Sequence, residues 1–240
     1  MNAADLQQGP VRLTAYDWVP ELARGQVRDL RLRWALEEAG IAHEVDLVAQ
    51  GTQGQPENLA RQPFGQIPSL TVGGQTIFET GACAWTIAQA SDALLPPDES
   101  GRAAALTWLF AALNTVEPPL SMLANLRFFE MAPDRFGISD AAAVAVVRPG
   151  ASTIAVQRLR QTADALAGRD HLVADRFTVA DLVMTTVLRI ADWLDLLGEA
   201  PGLDRYVALH TGRPAFARAL AAQLAPFAQN APRHERPRPL

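Results

Sequence analysis

The chain has 240 residues, a net charge of −5 at neutral pH and a pI near 5.4. This acidic balance argues against nucleic acid or an anionic membrane as the main partner, because both attract basic surfaces. No run of about eighteen apolar residues predicts a membrane span, and the start lacks the pattern of a secretory signal. A single cysteine, Cys83, cannot form an internal disulfide, so we expect a cytoplasmic protein.

The first predicted elements are a strand and a helix. Residues 11–16 alternate apolar and polar side chains, as a half-buried strand does, and end on Tyr16. From residue 27 to residue 39 apolar side chains recur at helical spacing, and Gly40 is the expected stop. Between residues 17 and 38 there is no serine, threonine, cysteine or tyrosine.

A predicted hairpin and the helix after it form the most informative stretch, residues 66–81. Two short apolar runs, 70–72 and 76–78, flank Gly73-Gly74, whose tolerance of positive φ suits a tight primed turn. Pro68 enters the first strand, where its missing N–H leaves no ladder bond unmade. A cis bond before Pro68 would leave the N–H and C=O of Ile67 free to pair with an extended, peptide-like ligand.

The helix start after the hairpin predicts a site for an α-amino acid. The first turn of a helix has unpaired N–H groups and a partial positive charge, which attract an anion. Thr80 adds a hydroxyl donor there, and the carboxylate of Glu79 would hold an ammonium group. Alternatively, Pro68 only ends a loop, Thr80 only caps the helix, and Glu79 only complements the helix dipole.

The rest of the chain predicts two domains. A strand at 43–48 and a short helix near 57–61 complete a βαβ-ββα domain over residues 10–92. Residues 94–100 predict a linker, and an all-helical domain follows over residues 99–228. In this domain Pro118-Pro119 should interrupt one helix, and Pro149 should open another. Thr178 and Asp181 predict a capping box. The Pro- and Arg-rich tail, 229–240, is predicted to be disordered, and the four scattered histidines have no metal-ligand spacing.

Several strings resemble those of the cytosolic glutathione transferases: QPFGQIPSL, IFETGACAWTIAQ, RWALEEAGI and, much later, FTVADLVM. They occur in the family's order over about residues 11–227. The resemblance implies a thioredoxin-like domain that binds glutathione, followed by an all-α bundle that shapes a pocket for a small electrophile. It also implies a homodimer with glutathione as co-substrate, and we expect no metal.

The resemblance assigns roles to the hairpin residues. Ile67, before the cis Pro68, would pair with the cysteinyl backbone of glutathione. Glu79 and Thr80 would hold its γ-glutamyl end, and Gln66 would contact the glycyl carboxylate.

Two alternatives remain for the group that activates the thiol. One is the hydroxyl of Tyr16; the other is the main-chain N–H groups from Trp18 to Arg24, helped by the indole of Trp18 or by Arg24 itself. Arg24, Arg28 and Arg31 form a basic series that is otherwise interpreted as a solvated face paired with acidic neighbours. The electrophile pocket is expected near Trp18 or Tyr16 and Trp108.

Three functions remain from the sequence. A conjugating transferase is favoured. A non-catalytic glutathione-binding module is the main alternative, because residues 17–38 lack a hydroxyl or thiol. A glutathione-dependent thiol oxidoreductase would need a cysteine at the first helix start, and the sequence has none there.

Overall fold

The computed structural model describes Leu6 and residues 9–131, 133–138 and 141–234. Contacts divide the chain into two units: one combines the residues up to Pro97 with those from Gly212 onward, and the other spans Asp98–Thr211. Within the described ranges, no helix combines the length and the apolar character needed to cross a bilayer.

A four-stranded mixed sheet forms the centre of the first unit. Its strands, in the spatial order β2-β1-β3-β4, are β1 (Val11–Tyr16), β2 (Glu44–Val48), β3 (Leu70–Val72) and β4 (Gln75–Ile77). β1 pairs in parallel with β2 and antiparallel with β3, so the predicted βαβ-ββα fold is confirmed. Gly73 and Gly74 have φ of 56° and 85°, as a primed turn requires.

Where the structure describes the chain, four α-helices belong to the same unit. They are α1 (Asp29–Ala39), α2 (Pro56–Leu59), α3 (Thr80–Gln89) and α9 (Pro214–His234), the last from the end of the chain. α1 packs on β1, α3 and α9, and its side chains from Leu30 to Leu36 are buried. It ends at Gly40 in the left-handed conformation with φ of 66°, the predicted stop.

The last helix, α9, differs from the prediction in two ways. It groups with the first unit, not with the helical domain predicted over 99–228, and it continues to His234, past the predicted start of the disordered tail. The reason is packing on α1, where Phe216 meets the fully buried ring of Trp34 edge-on at 4.9 Å between centroids. The rest of the predicted tail, residues 235–240, lies outside the described residues.

The second unit is helical, as predicted. Its helices are α4 (Glu99–Ala111), α5 (Glu117–Met131), α6 (Ala141–Leu166), α7 (Val179–Trp193) and α8 (Leu203–Thr211). Pro118-Pro119 are predicted to interrupt one helix, and a π-helical stretch, Ala112–Val116, separates α4 from α5 just before them. The chain stays helical through all three stretches, and the wider π turn accommodates the missing N–H groups of the two prolines.

Pro149 lies inside α6, which begins at Ala141, so the prediction that it opens this helix is wrong. Buried residues on both sides of it, Val144, Ala151 and Ala155, follow helical spacing. Their packing offsets the cost of the interior proline, about 3 kcal/mol.

The predicted capping box at the start of α7 is confirmed. The Thr178 N–H donates to Oδ2 of Asp181 over 2.9 Å, and the Thr178 hydroxyl accepts from the N–H of Ala180. Oδ1 of the fully buried Asp181 also accepts from the N–H of Leu172 and the hydroxyl of Tyr206, each over 2.8 Å. Asp181 therefore ties three segments of the second unit together.

Candidate functional site

A small cleft in the first unit brings together the residues that the sequence predicts to contact glutathione. All five predicted residues line it, together with two others: Gln66, Ile67, Pro68, Glu79 and Thr80, with Arg28 and Gln62. The cleft lies where the loop before β3 meets the start of α3.

The main chain of Ile67 is available at this cleft. The Ile67–Pro68 peptide bond is cis. The last ladder bond before β3 joins the N–H of Thr14 to the oxygen of Ser69 over 3.0 Å, two residues beyond Ile67. In the described part of the chain no hydrogen bond engages the N–H or C=O of Ile67. Both groups can therefore pair with an extended backbone.

Glu79 occupies the N-cap position of α3. Its main-chain oxygen accepts from the N–H of Cys83 over 2.9 Å, but its side chain makes no capping hydrogen bond. Thr80 is the first residue of the helix and not its cap, so the alternative that Thr80 only caps α3 is wrong. The first-turn N–H groups keep their partial positive charge at the cleft.

The backbone of Glu79 is unusual, since its φ is 67°. A non-glycine residue outside the common regions costs about 1–3 kcal/mol, and such residues cluster at functional sites. This conformation leaves the carboxylate exposed at the rim of the cleft.

Arg31 holds the hydroxyl of Thr80. Nη1 of Arg31, which is 4% exposed, lies 3.4 Å from Oγ1 of Thr80, which is 8% exposed. Because a guanidinium only donates, the proton of the Thr80 hydroxyl remains available for another acceptor. The interpretation of Arg31 as part of a solvated basic face is therefore wrong. α1 begins at Asp29, and from this start Arg31 lies on the side of the helix that meets α3. Asp29 itself accepts a hydrogen bond from Nε of Arg33 over 2.8 Å.

Gln62 organises the loop that carries Gln66. The buried Oε1 of Gln62 accepts from the N–H groups of Phe64 and Gln66 over 2.6 and 3.2 Å. Its Nε2 lies 3.5 Å from Oε1 of Gln66, which leaves Nε2 of Gln66 as a donor for a ligand. Gln62 is the first residue of the string QPFGQIPSL, so this motif is the signal in the sequence that could have located it.

Arg28 is exposed and lines the cleft, although the sequence places it on a solvated face. It immediately precedes α1, as its N-cap. Only the tertiary structure shows that this end of α1 reaches the cleft, because the helical pattern does not locate the helix start.

The three predicted catalytic residues are not among those that line this cleft. Tyr16 ends β1, and burial, followed by the negative charge of Asp29, raises the pKa of its phenol. Trp18 and Arg24 lie half-buried in the irregular segment 17–28. Nε of Arg24 is buried without a hydrogen-bond partner among the described residues. Trp108 lies half-buried in α4, in the second unit.

Two other groups of reactive side chains have structural explanations. The thiol of Cys83 is buried, and this burial is the main reason why its pKa rises to about 12. In the second unit, ligand atoms of His171, Asp181 and His210 lie within 4.8 Å of one another. Both oxygens of Asp181 already accept hydrogen bonds from neighbouring donors, so the cluster is a hydrogen-bonded core and a poor metal site.

Known proteins share this architecture. The family model of the glutathione S-transferase N-terminal domain matches residues 30–90. A solved glutathione transferase from Burkholderia graminis, with two glutathione molecules bound per subunit, superposes with a TM-score of 0.72 and 22% identity over 89% of this chain and 88% of that chain.

Curated plant proteins give the sequence relationship. Glutathione S-transferase 4 of Zea mays is 46% identical over 52 residues, 21% of this chain but only 23% of that protein's length. Glutathione S-transferase 3 of Zea mays is 34% identical over 159 residues, which cover 63% of this chain and 68% of that protein. With the matched fold and the matched N-terminal domain, this similarity shows that the chain belongs to the glutathione S-transferase family.

Proposed function

We propose that this protein binds glutathione in the cleft and transfers it to a small electrophile. One observation carries the proposal: the unpaired main chain of Ile67 and the uncapped start of α3, with Glu79 and Thr80, line the same cleft. An unpaired peptide group, an anion site and a carboxylate together suit a γ-linked tripeptide.

Each end of glutathione has a partner in this arrangement. The α-carboxylate of the γ-glutamyl group accepts from the first-turn N–H groups of α3 and from Thr80, and its ammonium meets Glu79. The cysteinyl backbone pairs with Ile67 beside Pro68. The glycyl carboxylate lies near Nε2 of Gln66 and the positive charge of Arg28.

The chemistry is nucleophilic attack by sulfur. A thiol with a pKa of about 8.5 loses its proton to solvent, and the thiolate forms a bond to an electrophilic carbon while the leaving group departs with its electron pair. Lowering the thiol pKa by about two units requires about 2.7 kcal/mol of preferential stabilisation of the anion. One or two hydrogen bonds to sulfur supply that amount.

Segment 17–28 is the source of those hydrogen bonds in our proposal, through the side chain of Arg24 and through N–H groups other than those of Ala23, Arg24 and Gln26, which already donate within the segment. Its last residue, Arg28, lines the cleft, and the buried Nε of Arg24 lacks an acceptor among the described residues. Tyr16 is the alternative donor, with a phenol whose pKa is raised by burial.

A non-catalytic glutathione-binding module is the second candidate, supported by the absence of any serine, threonine, cysteine or tyrosine from residues 17–38. The burial of Cys83 and its pKa of about 12 argue against thiol exchange as the activity, because exchange requires a thiolate. From the family resemblance we further propose a cytoplasmic homodimer, whose mass light scattering would measure.

Calorimetric titration with glutathione, followed by turnover of 1-chloro-2,4-dinitrobenzene, tests the proposal. We expect saturable binding that Glu79→Gln weakens, with Glu57→Gln, an exposed acid outside the cleft, as the matched control. Binding with turnover supports the transferase, and binding without turnover supports the module. A chain that binds no glutathione overturns both.

A further inference from the structure

The last helix, α9, runs antiparallel to α1 and reaches the irregular segment 17–28. Contacts from its start to its end fall on progressively earlier residues. Arg213 pairs with Glu38, Phe216 with Trp34, Gln223 with Asp29, and Asn230 with Asp17. All of these residues belong to the first unit.

Two amide side chains of α9 hold the two ends of segment 17–28. Nδ2 of Asn230 donates to the main-chain oxygen of Asp17 over 3.3 Å, and Nε2 of Gln223 donates to that of Val27 over 3.1 Å. Seven residues separate the two amides, so they lie on one face of α9, about 10 Å apart along its axis. The segment has only a short 3-10 turn, Glu21–Ala23, of its own.

Gln223 also fixes the start of α1. It is 1% exposed, and its Nε2 donates to Oδ1 of Asp29 over 2.5 Å, while Oδ2 of Asp29 accepts from Arg33. Both hydrogens of the amide are therefore used, one on the buried carboxylate of Asp29 and one on the main-chain oxygen of the half-buried Val27. Removing them would leave a carbonyl and a carboxylate oxygen short of a donor next to the segment.

We propose that Gln223 and Asn230 are positioning residues, which hold segment 17–28 so that its N–H groups and Arg24 face the sulfur of bound glutathione. This inference rests on the proposed function. Neither residue lines the cleft. Asn230 holds the end of the segment that is remote from Arg28, so it acts on ionisation of the thiol and not on recognition of the two ends of the tripeptide. Gln223 holds both neighbours of Arg28 and can affect recognition of the glycyl carboxylate as well.

The variants Asn230→Ala and Gln223→Leu test this role, with Gln229→Ala as the control. Gln229 is the exposed neighbour of Asn230 on the same helix. Three quantities are measured in the full chain: the pKa of bound glutathione from the ultraviolet absorbance of its thiolate, the affinity for S-methylglutathione, and deuterium uptake over residues 17–28.

We expect each variant to lower the ionisation constant of the bound thiol about two- to tenfold, the worth of one hydrogen bond. Deuterium uptake in the segment should rise. The affinity of Asn230→Ala for S-methylglutathione, which has no thiol to ionise, should match that of the parent, and Gln229→Ala should change nothing. Asn230→Ala alone decides the question if Gln223→Leu fails to fold.

An unchanged thiol pKa in the folded variants overturns the positioning role, whether or not deuterium uptake rises. An equal loss of S-methylglutathione affinity in Asn230→Ala also overturns it, because α9 would then act on binding. A parent chain that binds no glutathione overturns the proposed function first, and this failure appears in the parent's own titration.

Discussion

Nη1 of Arg31 donates a hydrogen bond of 3.4 Å to Oγ1 of Thr80, a residue 49 positions later in the chain. Both side chains are buried, so a charge on α1 orients a hydroxyl at the start of α3. The anion site therefore depends on two helices. Its donors are oriented before any ligand arrives, which lowers the entropic cost of binding.

Thr80→Val should weaken glutathione binding about 10- to 100-fold, because it removes a donor to the γ-glutamyl carboxylate while keeping the side-chain shape. Calorimetry measures the affinity. Thr86→Val is the matched control on the same helix, since its hydroxyl donates only to the main-chain oxygen of Ala82 over 2.9 Å. Equal affinities for the parent and Thr80→Val would contradict the proposed anion site.

Glu79→Gly should stabilise the fold and weaken binding together. Glycine adopts a φ of 67° freely, so the strain relieved exceeds the added entropy of the unfolded chain by about 1 kcal/mol. The lost carboxylate lowers glutathione affinity about fivefold, as expected for an exposed ion pair. Urea unfolding and calorimetry measure the two effects.

Glu79→Gln separates the effect on stability from the effect on binding, because it keeps the backbone conformation and loses the charge. It should bind as weakly as Glu79→Gly with the stability of the parent. A more stable Glu79→Gln would show that the carboxylate itself, and not the backbone, is the source of strain.

Tyr16→Phe should leave the pKa of enzyme-bound glutathione unchanged, because burial, followed by the negative charge of Asp29, raises the pKa of the phenol and makes it a weaker hydrogen-bond donor to the thiolate. Arg24→Met should raise the pKa of the bound thiol by about one to two units, the worth of a charged hydrogen bond. Titration of thiolate absorbance measures both. The opposite pattern would assign activation of the thiol to Tyr16.

Arg213→Met should destabilise the fold at neutral pH but not in acid. Arg213 donates to both carboxylate oxygens of Glu38, over 2.6 and 2.8 Å. Burial works against ionisation, but Arg213 and then Trp34 hold the pKa of Glu38 below its usual 4.5. A lowered pKa in the folded state contributes stability above the unfolded value, and this stability is lost as pH falls through the folded pKa.

Urea unfolding of Arg213→Met should therefore show a deficit of about 1–2 kcal/mol at pH 7, allowing for partial screening by solvent. The deficit should shrink well below pH 4.5. Arg218→Met is the control, because Arg218 is 58% exposed and its pair with Glu37 contributes little. A deficit that does not depend on pH would point to lost packing in place of the ion pair.

Sequence patterns predicted the parts of this site that depend on neighbours along the chain. The Gly73-Gly74 turn, the stop at Gly40 and the Thr178 capping box each need only a few adjacent residues, and each is present. Ile67, Glu79 and Thr80 were found in the same way, since a proline before a strand and a helix after it are local features.

Other features depend on residues far apart in the chain and cannot be predicted from local sequence patterns. The burial of Arg31 under Thr80, the loop held by Gln62 and the position of Arg28 at the cleft arise from packing between elements. Nor does a helical pattern say which surface a helix will cover.

The sequence by itself determined the order of the elements and the hairpin residues of the cleft, because hydrophobic periodicity and turn chemistry act over a few residues. Only the tertiary structure decided that α9 returns to the first unit and holds segment 17–28. Its hydrogen bonds join residues 194 and 213 positions apart, Gln223 with Asp29 and Asn230 with Asp17. Such contacts form only when the whole unit has packed, since side-chain complementarity over that distance has no periodic signature.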